Sequence, residues 1–354
     1  MPTDISDADY QLNLSFAQKE DTLWAKAEFE VASEQISLNS LPRVQVNAMQ
    51  LPRLEVQNQQ HELIATGDNF KLIFDTYKGV IKSYEYQNVP LIEKVPETSM
   101  WRAPTDNDNG FFGNAKRWIE HGLDKLQHRC ARFGWNATDN RLDVHVETVD
   151  APYTIKAASH SYYTYSVYGD GSVRVKVRIE PQANLGHLPR MGTRLKLNGD
   201  LNQAIWYGRG PQESYADKKS AAYIGLYNSS IANMHEPYIR PQENGAREDT
   251  VFAALTNGLG LGLVFVGLPN FVFTAHDYSD EALTRASHDY QIERDGGTWV
   301  NIDYKQGGLG SNSCGPEPLE QFKLKAEDAE FEYVIRPFSN GVHDLFQLAS
   351  ELPE

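Results

Sequence analysis

The sequence predicts an all-β chain dominated by antiparallel sheet. Three observations lead there: aromatic and β-branched residues recur in short alternating runs, glycine and asparagine separate those runs, and helical stripes are few. The plainest unit is a hairpin from Ser159 to Glu180. Val173, Val175, Val177 and Ile179 alternate with Ser172, Arg174, Lys176 and Arg178, which gives one buried face and one wet face. Gly169-Asp170-Gly171 supplies turn residues that tolerate positive φ. The same pattern predicts strands over 70–75, 80–86, 250–255, 261–267, 271–276, 288–293, 298–304 and 331–336. One surface helix is expected where Ala115, Trp118, Ile119, Leu123 and Leu126 share a face, and a short helix around 342–352 closes the chain, fraying at its proline and acidic end.

Before residue 39 lie about three strands' worth of residues, from Tyr10 to Leu38, too few for a complete sandwich of about seven. The missing strands must come from elsewhere, or these strands dock on the main domain. Residues 41–60, with Pro42, Pro52 and scattered Gln and Asn, show no sustained periodicity and read as a linker. The organisation expected is a partial β-unit over 1–40, this linker, a main domain over 61–340 and a tail over 341–354.

At 354 residues and 40% hydrophobic content the chain can bury a sizeable core. Its 33 basic and 48 acidic residues give a net charge of −15 without a basic block, which argues against nucleic acid as a partner. No run of eighteen apolar residues and no signal-peptide core occurs, so a cytoplasmic protein without a membrane partner is expected. Cys130 and Cys314 are too few for a disulfide framework and lack the spacing of a zinc site. The Asn13, Asn136 and Asn228 glycosylation patterns read as chance matches.

Candidate chemistry is sparse. Glu243, in Pro237-Tyr238-Ile239-Arg240-Pro241-Gln242-Glu243-Asn244-Gly245, has His235, Arg240 and Asn244 nearby to tune a base. Asn-Gly, however, signals a turn, and a glutamate beside arginines more often forms a structural ion pair. Gly208-Arg209-Gly210-Pro211-Gln212-Glu213 lacks the residues of a phosphate loop and reads as a demanding turn. Ten scattered histidines define no triad. His121 and His128 are seven apart on the expected helix, but no third ligand is indicated, so no metal site is expected. Cys314 sits in the glycine-rich run Gly307 to Pro316 with no base nearby to activate its thiol, and an inert loop cysteine and a substrate-facing one both fit.

Trp101-Arg102-Ala103-Pro104-Thr105-Asp106-Asn107-Asp108 resembles the motif that opens the C-terminal β-domain of glycoside hydrolase family 2 β-galactosidases. Gly210 to Tyr215, Pro237 to Gly245 and Gly297 to Asp303 resemble later motifs of that domain in the same order, and Leu23 to Ala32 is similar to the end of the immunoglobulin-like domain before it. The resemblance implies a large antiparallel super-sandwich related to galactose mutarotase, preceded by a partial immunoglobulin-like sandwich. It also implies that the catalytic barrel with its two glutamates lies outside this sequence. The chain would then be the small subunit of a split enzyme or the C-terminal part of a single-chain one. Its partner would be the catalytic large subunit or barrel domain, and the reaction retaining hydrolysis of terminal β-D-galactosides such as lactose. No catalytic residue and no cofactor are expected on this chain, with divalent or sodium cations confined to the catalytic part. The stretch containing Asn109, Gly110 and Gly113 is similar to the family's mobile active-site loop. The Gly307 to Pro316 loop would reach the rim of the partner's pocket with Asn312, Ser313 and Cys314, Cys314 standing where many relatives place a sugar-stacking tryptophan. Two other classes fit the residues: a free-standing epimerase with His235 and Glu243 as acid and base, or a carbohydrate-binding module.

Overall fold

The computed structural model describes residues 8–111, 113–154, 156–311 and 314–354. About 50% of the chain is strand and 11% helix, so the all-β expectation holds. The central hairpin forms as its alternation requires. Ser159–Tyr168 pairs with Val173–Pro181, opposing Tyr163 to Val177 and Tyr165 to Val175 on the buried face, and Gly171 takes φ +87° at the turn.

The hairpin belongs to a twelve-stranded antiparallel sheet. In spatial order run Gln127–Ala137, Arg141–Ala151, the two hairpin strands, Ala329–Ser339, Leu261–His276, Arg247–Thr256, Gln203–Gly210 and Tyr223–Ser230. A branch leaves Leu261–His276 through Gly297–Gln306 to Arg190–Asn198 and Ile92–Ser99. The branching strand is 16 residues long: residues 261–268 pair with Ala329–Ser339, and residues 272–276 pair with Gly297–Gln306. The change of neighbour falls at Pro269, which has no N–H to give a ladder.

A second, five-stranded sheet, Glu55–Gln59, Glu62–Thr66, Phe70–Asp75, Val80–Tyr86 and Val89–Pro90, lies against the first. Its Leu63, Leu72, Phe74 and Ile81 share one core with Val144, Tyr165, Val175 and Phe265 of the large sheet. The Phe74 and Tyr165 rings meet edge-on at 5.5 Å, and the Tyr84 hydroxyl donates to the Gly171 carbonyl. Each such side chain contributes about 1.5–3 kcal/mol by leaving water, which makes this seam the main source of stability.

The structure corrects several local expectations. The helix runs only over Ala115–Glu120, because Gly122 adopts φ +70° and ends it, leaving Ile119 half exposed. His128 therefore lies not beside His121 on a helix but in strand Gln127–Ala137, its Nδ1 2.8 Å from buried Asp150. The strand expected over 288–293 is a single turn of 3-10 helix, Asp289–Gln291, because the Gln291 side chain accepts the Ser287 and His288 N–H groups that a ladder would need. Residues 41–60, expected as a linker, include strands Val44–Val46 and Glu55–Gln59. The closing segment does not fray: after the helix Leu345–Ser350, Glu351–Pro353 pairs in parallel with Val44–Val46, and Arg336 donates to the Leu348 and Glu351 carbonyls.

Ahead of these sheets, among the described residues, stand two strands rather than three, Gln11–Ala17 and Glu30–Ser37, joined through residues 18–29 whose ends are closed by Gln18 N–H to Phe29 O and Glu28 N–H to Gln18 O. Gln35 attaches this hairpin to the free edge of the large sheet. Its amide donates to Ile224 O at 2.9 Å and accepts from Ile224 N–H at 2.6 Å, pairing with that edge as a peptide group would. The opposite face carries Leu14, Phe16 and Ile36, all exposed.

Candidate functional site

The octapeptide Trp101 to Asp108 begins two residues after the strand Ile92–Ser99, and its Ala103 carbonyl accepts the Glu243 N–H. Its Arg102 is buried and forks onto Asp108, Nε to Oδ2 at 3.0 Å and Nη2 to Oδ1 at 2.7 Å. The same guanidinium reaches a loop two hundred residues away in sequence, donating to Gly307 O at 2.6 Å and Gly308 O at 3.3 Å. Asp108 also accepts the Thr105 N–H, and Asn107 donates to Gly310 O at 2.6 Å. The octapeptide and the start of the glycine-rich loop thus share one polar seam.

Next to this seam opens a cleft of ≈ 340 Å³, lined by Thr105, Asn107, Lys218, Tyr238, Glu243 and Leu309. Glu243 is 3% exposed and receives Arg190 Nη2 at 2.9 Å, so the ion-pair reading of this residue holds. Arg190 is the hub of a buried cluster: Nη1 lies 3.1 Å from Asp280 and Nε 3.4 Å from Asp303. Gly192 makes room, since a Cβ there would stand 2.3 Å from Asp303 Oδ1. Three carboxylates thus surround one guanidinium away from water. Burial pushes Glu243 up to about 7 against the pull of Arg190, and pushes Asp303 up to about 6 for the same reason. Burial opposes the charge on Arg190 too, but Asp303, Glu243 and Asp280 together outweigh it and hold the guanidinium above its ordinary value.

Asn244 and Gly245 form the turn that their pairing signals, Asn244 Oδ1 accepting the Glu236 N–H and Gly245 taking φ +78°. His235 does not face Glu243 as an acid–base partner. Its Nδ1 lies 2.5 Å from the Tyr278 hydroxyl and its Nε2 2.7 Å from Asp289, so both ring nitrogens are engaged. Buried His276 gives Nε2 to the Asn244 carbonyl, and burial brings it down to about 3, leaving the ring neutral. Gly208 and Gly210 lie in a strand that runs into the turn at Pro211.

Among the expected loop residues, Asn109 N–H bonds Thr105 O and Gly110 N–H bonds Asn107 O, extending the octapeptide as consecutive turns. Gly113 is required by close approach, since a Cβ would stand 2.0 Å from Asp108 O. Cys314 is exposed, its N–H on Ser311 O at 3.2 Å. Asn312 and Ser313 lie outside the described residues. Among the described residues no group of three or more His, Cys, Asp or Glu is arranged to hold a metal, and no helix is long and apolar enough to cross a membrane.

Residues 66–335 match the family model described as β-galactosidase small chain, and residues 1–39 match β-galactosidase, domain 4. The chain belongs to the β-galactosidase small-chain family. It is 31% identical over 306 residues to a β-galactosidase of Priestia megaterium, covering 86% of this chain and 29% of that protein. A β-galactosidase of Actinobacillus pleuropneumoniae is 29% identical over 333 residues, 92% of this chain and 31% of that one. The small-chain sequence thus spans under a third of these relatives' length. A solved galactose 1-epimerase from Lactobacillus acidophilus superposes with a TM-score of 0.41 at 8% identity, covering 81% of this chain and 98% of that one.

Sequence reasoning identified the octapeptide and the glycine-rich loop of this small-chain region but missed what joins them. Arg102 and Asp108 sit inside the quoted motif, and their six-residue spacing is a usable signal for a fork folded on itself. Arg190 and Asp280 carry no local signal, and Asp303, although it closes the motif Gly297 to Asp303, meets Arg190 only because Arg190–Asn198 pairs with Gly297–Gln306.

Proposed function

We propose that this chain is the non-catalytic small part of a β-galactosidase, needed for assembly and for shaping the mouth of an active site carried by a partner barrel. The observation that carries this reading is the mismatch of coverage: relatives named β-galactosidase align over most of this chain but under a third of themselves. The missing two thirds have room for the barrel that supplies the paired carboxylates of retaining hydrolysis, which would act on terminal β-D-galactosides such as lactose. Any divalent or sodium cation of that reaction would belong to the catalytic part.

The exposed apolar face of the N-terminal hairpin supports the assembly half of the proposal. Leu14, Phe16 and Ile36 are 40%, 64% and 44% exposed on a two-stranded unit, and such a unit alone is marginal in water. Strands from the catalytic part would cover it. Hydrogen exchange of Gln11–Ala17 and Glu30–Ser37 is expected to slow on assembly with that partner. Equal and strong protection in the isolated chain and in the complex would show instead that the hairpin is complete by itself.

The rim half rests on the Gly307 to Pro316 loop. With Cys314 exposed beyond a fixed root, Cys314→Trp is expected to add a stacking surface worth about 1 kcal/mol, seen as a several-fold lower KM or inhibition constant in the assembled enzyme with kcat unchanged. Cys314→Ala should change little. A tryptophan variant that assembles normally with every constant untouched would place the loop away from the pocket.

A further inference from the structure

Asp217 belongs to no motif, yet it touches the glycine-rich loop at its most constrained point. It stands in a tight turn closed by reciprocal backbone bonds, Lys218 N–H to Tyr215 O at 2.8 Å and Tyr215 N–H to Lys218 O at 3.2 Å. From there Oδ1 accepts the Leu309 N–H at 2.9 Å and Oδ2 the Gly310 N–H at 2.7 Å. Gly308 permits this approach, since a Cβ there would stand 2.8 Å from the Asp217 carboxyl carbon.

The other peptide groups of the run are held from other sides. Gly307 N–H goes to Pro189 O and Gly308 N–H to Phe322 O, while Arg102 takes the Gly307 and Gly308 carbonyls and Asn107 takes that of Gly310. Asp217 therefore supplies the partners of two of the four N–H groups between 307 and 310. A stretch with three glycines among its four residues has only the Leu309 side chain to pack, against Tyr215, Ala246 and Val272, and the most backbone freedom to lose, so hydrogen bonds carry most of the burden of fixing its course. Bonds to a carboxylate are the stronger kind.

We propose that Asp217 is a positioning residue that sets where Cys314 stands, by anchoring the two amides that precede the exposed part of the loop. This deepens, and rests on, the reading of that loop as the rim of a partner's sugar pocket. Because Asp217 is only half buried and its turn is closed by backbone bonds, removing the carboxylate leaves the rest of the sheet intact.

The test uses a nitroxide label on Cys314 in the full chain carrying Cys130→Ala. Asp217→Ala is expected to raise the label's mobility about threefold on the nanosecond scale while the thermal midpoint falls by only about 2 °C. Asp217→Asn, which keeps one acceptor oxygen, should lie between that variant and the parent. An unchanged spectrum in Asp217→Ala, in a protein with parental circular dichroism, overturns the proposal, as does a midpoint collapse shared by both variants. In the enzyme assembled with its catalytic part, KM should rise about 3–10-fold with kcat within about twofold. Raised mobility with an unchanged KM would uphold the positioning role and refute the rim.

Discussion

Replacing Arg190 by methionine is expected to cost about 3–5 kcal/mol of stability at pH 8. The arginine is fully buried and lies within ion-pair distance of Glu243, Asp280 and Asp303. Methionine fills the volume but leaves buried Glu243 and Asp303 with no guanidinium in contact, while Asp280 keeps only Arg194 Nη1 at 3.4 Å. The loss should depend on pH with a definite sign. Glu243 and Asp303 already have folded-state values raised by burial to about 7 and about 6. Their contribution is fully present below their unfolded values and is lost as pH rises through the folded ones. Without Arg190 those folded values climb further, so the gap between parent and variant should be widest near pH 8 and narrow toward pH 5. Urea unfolding at the two pH values measures it. A gap that widens toward acid would mean that the carboxylates stay ionised without their partner and that the cluster has been misread.

Arg102→Ala should cost a similar amount, about 3–5 kcal/mol, seen as a fall in Tm of roughly 6–15 °C. The change strands the buried Asp108 carboxylate and frees the Gly307 and Gly308 carbonyls together. It also removes the cation lying 5.5 Å from the Trp118 ring. By contrast, Arg285→Ala, which breaks an exposed pair with Glu293, should cost less than about 1 kcal/mol. Calorimetry of the three proteins separates the cases. An Arg102 variant as stable as the Arg285 variant would show that the octapeptide and the loop are held together by something else.

The strands were legible where burial on one face imposes a period of two, as in Val173 to Ile179, and where a glycine must take positive φ, as at Gly171. They were not legible where side chains replace the ladder, as Gln291 does after His288. Nor were they legible where pairing is distant, as between Val44–Val46 and Glu351–Pro353. The site follows the same division. Motif residues announced the octapeptide and the glycine-rich loop, and close approach dictates a glycine in the latter, as at Gly308. Arg190 and Asp217 are ordinary residues in sequence, and only the register of Arg190–Asn198 against Gly297–Gln306 and the turn at Tyr215 to Lys218 give them partners.

The measurement that bears most directly on the account is turnover of a chromogenic β-galactoside by the purified chain, alone and after mixing with the catalytic part of a β-galactosidase of this family. Among the described residues lining the cleft the carboxylates are Glu243, tied to Arg190, and Asp217, tied to the Leu309 and Gly310 amides, whereas retaining hydrolysis needs a pair of carboxylates about 5 Å apart, one free to attack and one free to give a proton. The account predicts no hydrolysis by the chain alone and activity on mixing. Turnover by the chain alone, abolished by Glu243→Gln in a variant that still folds, would contradict it.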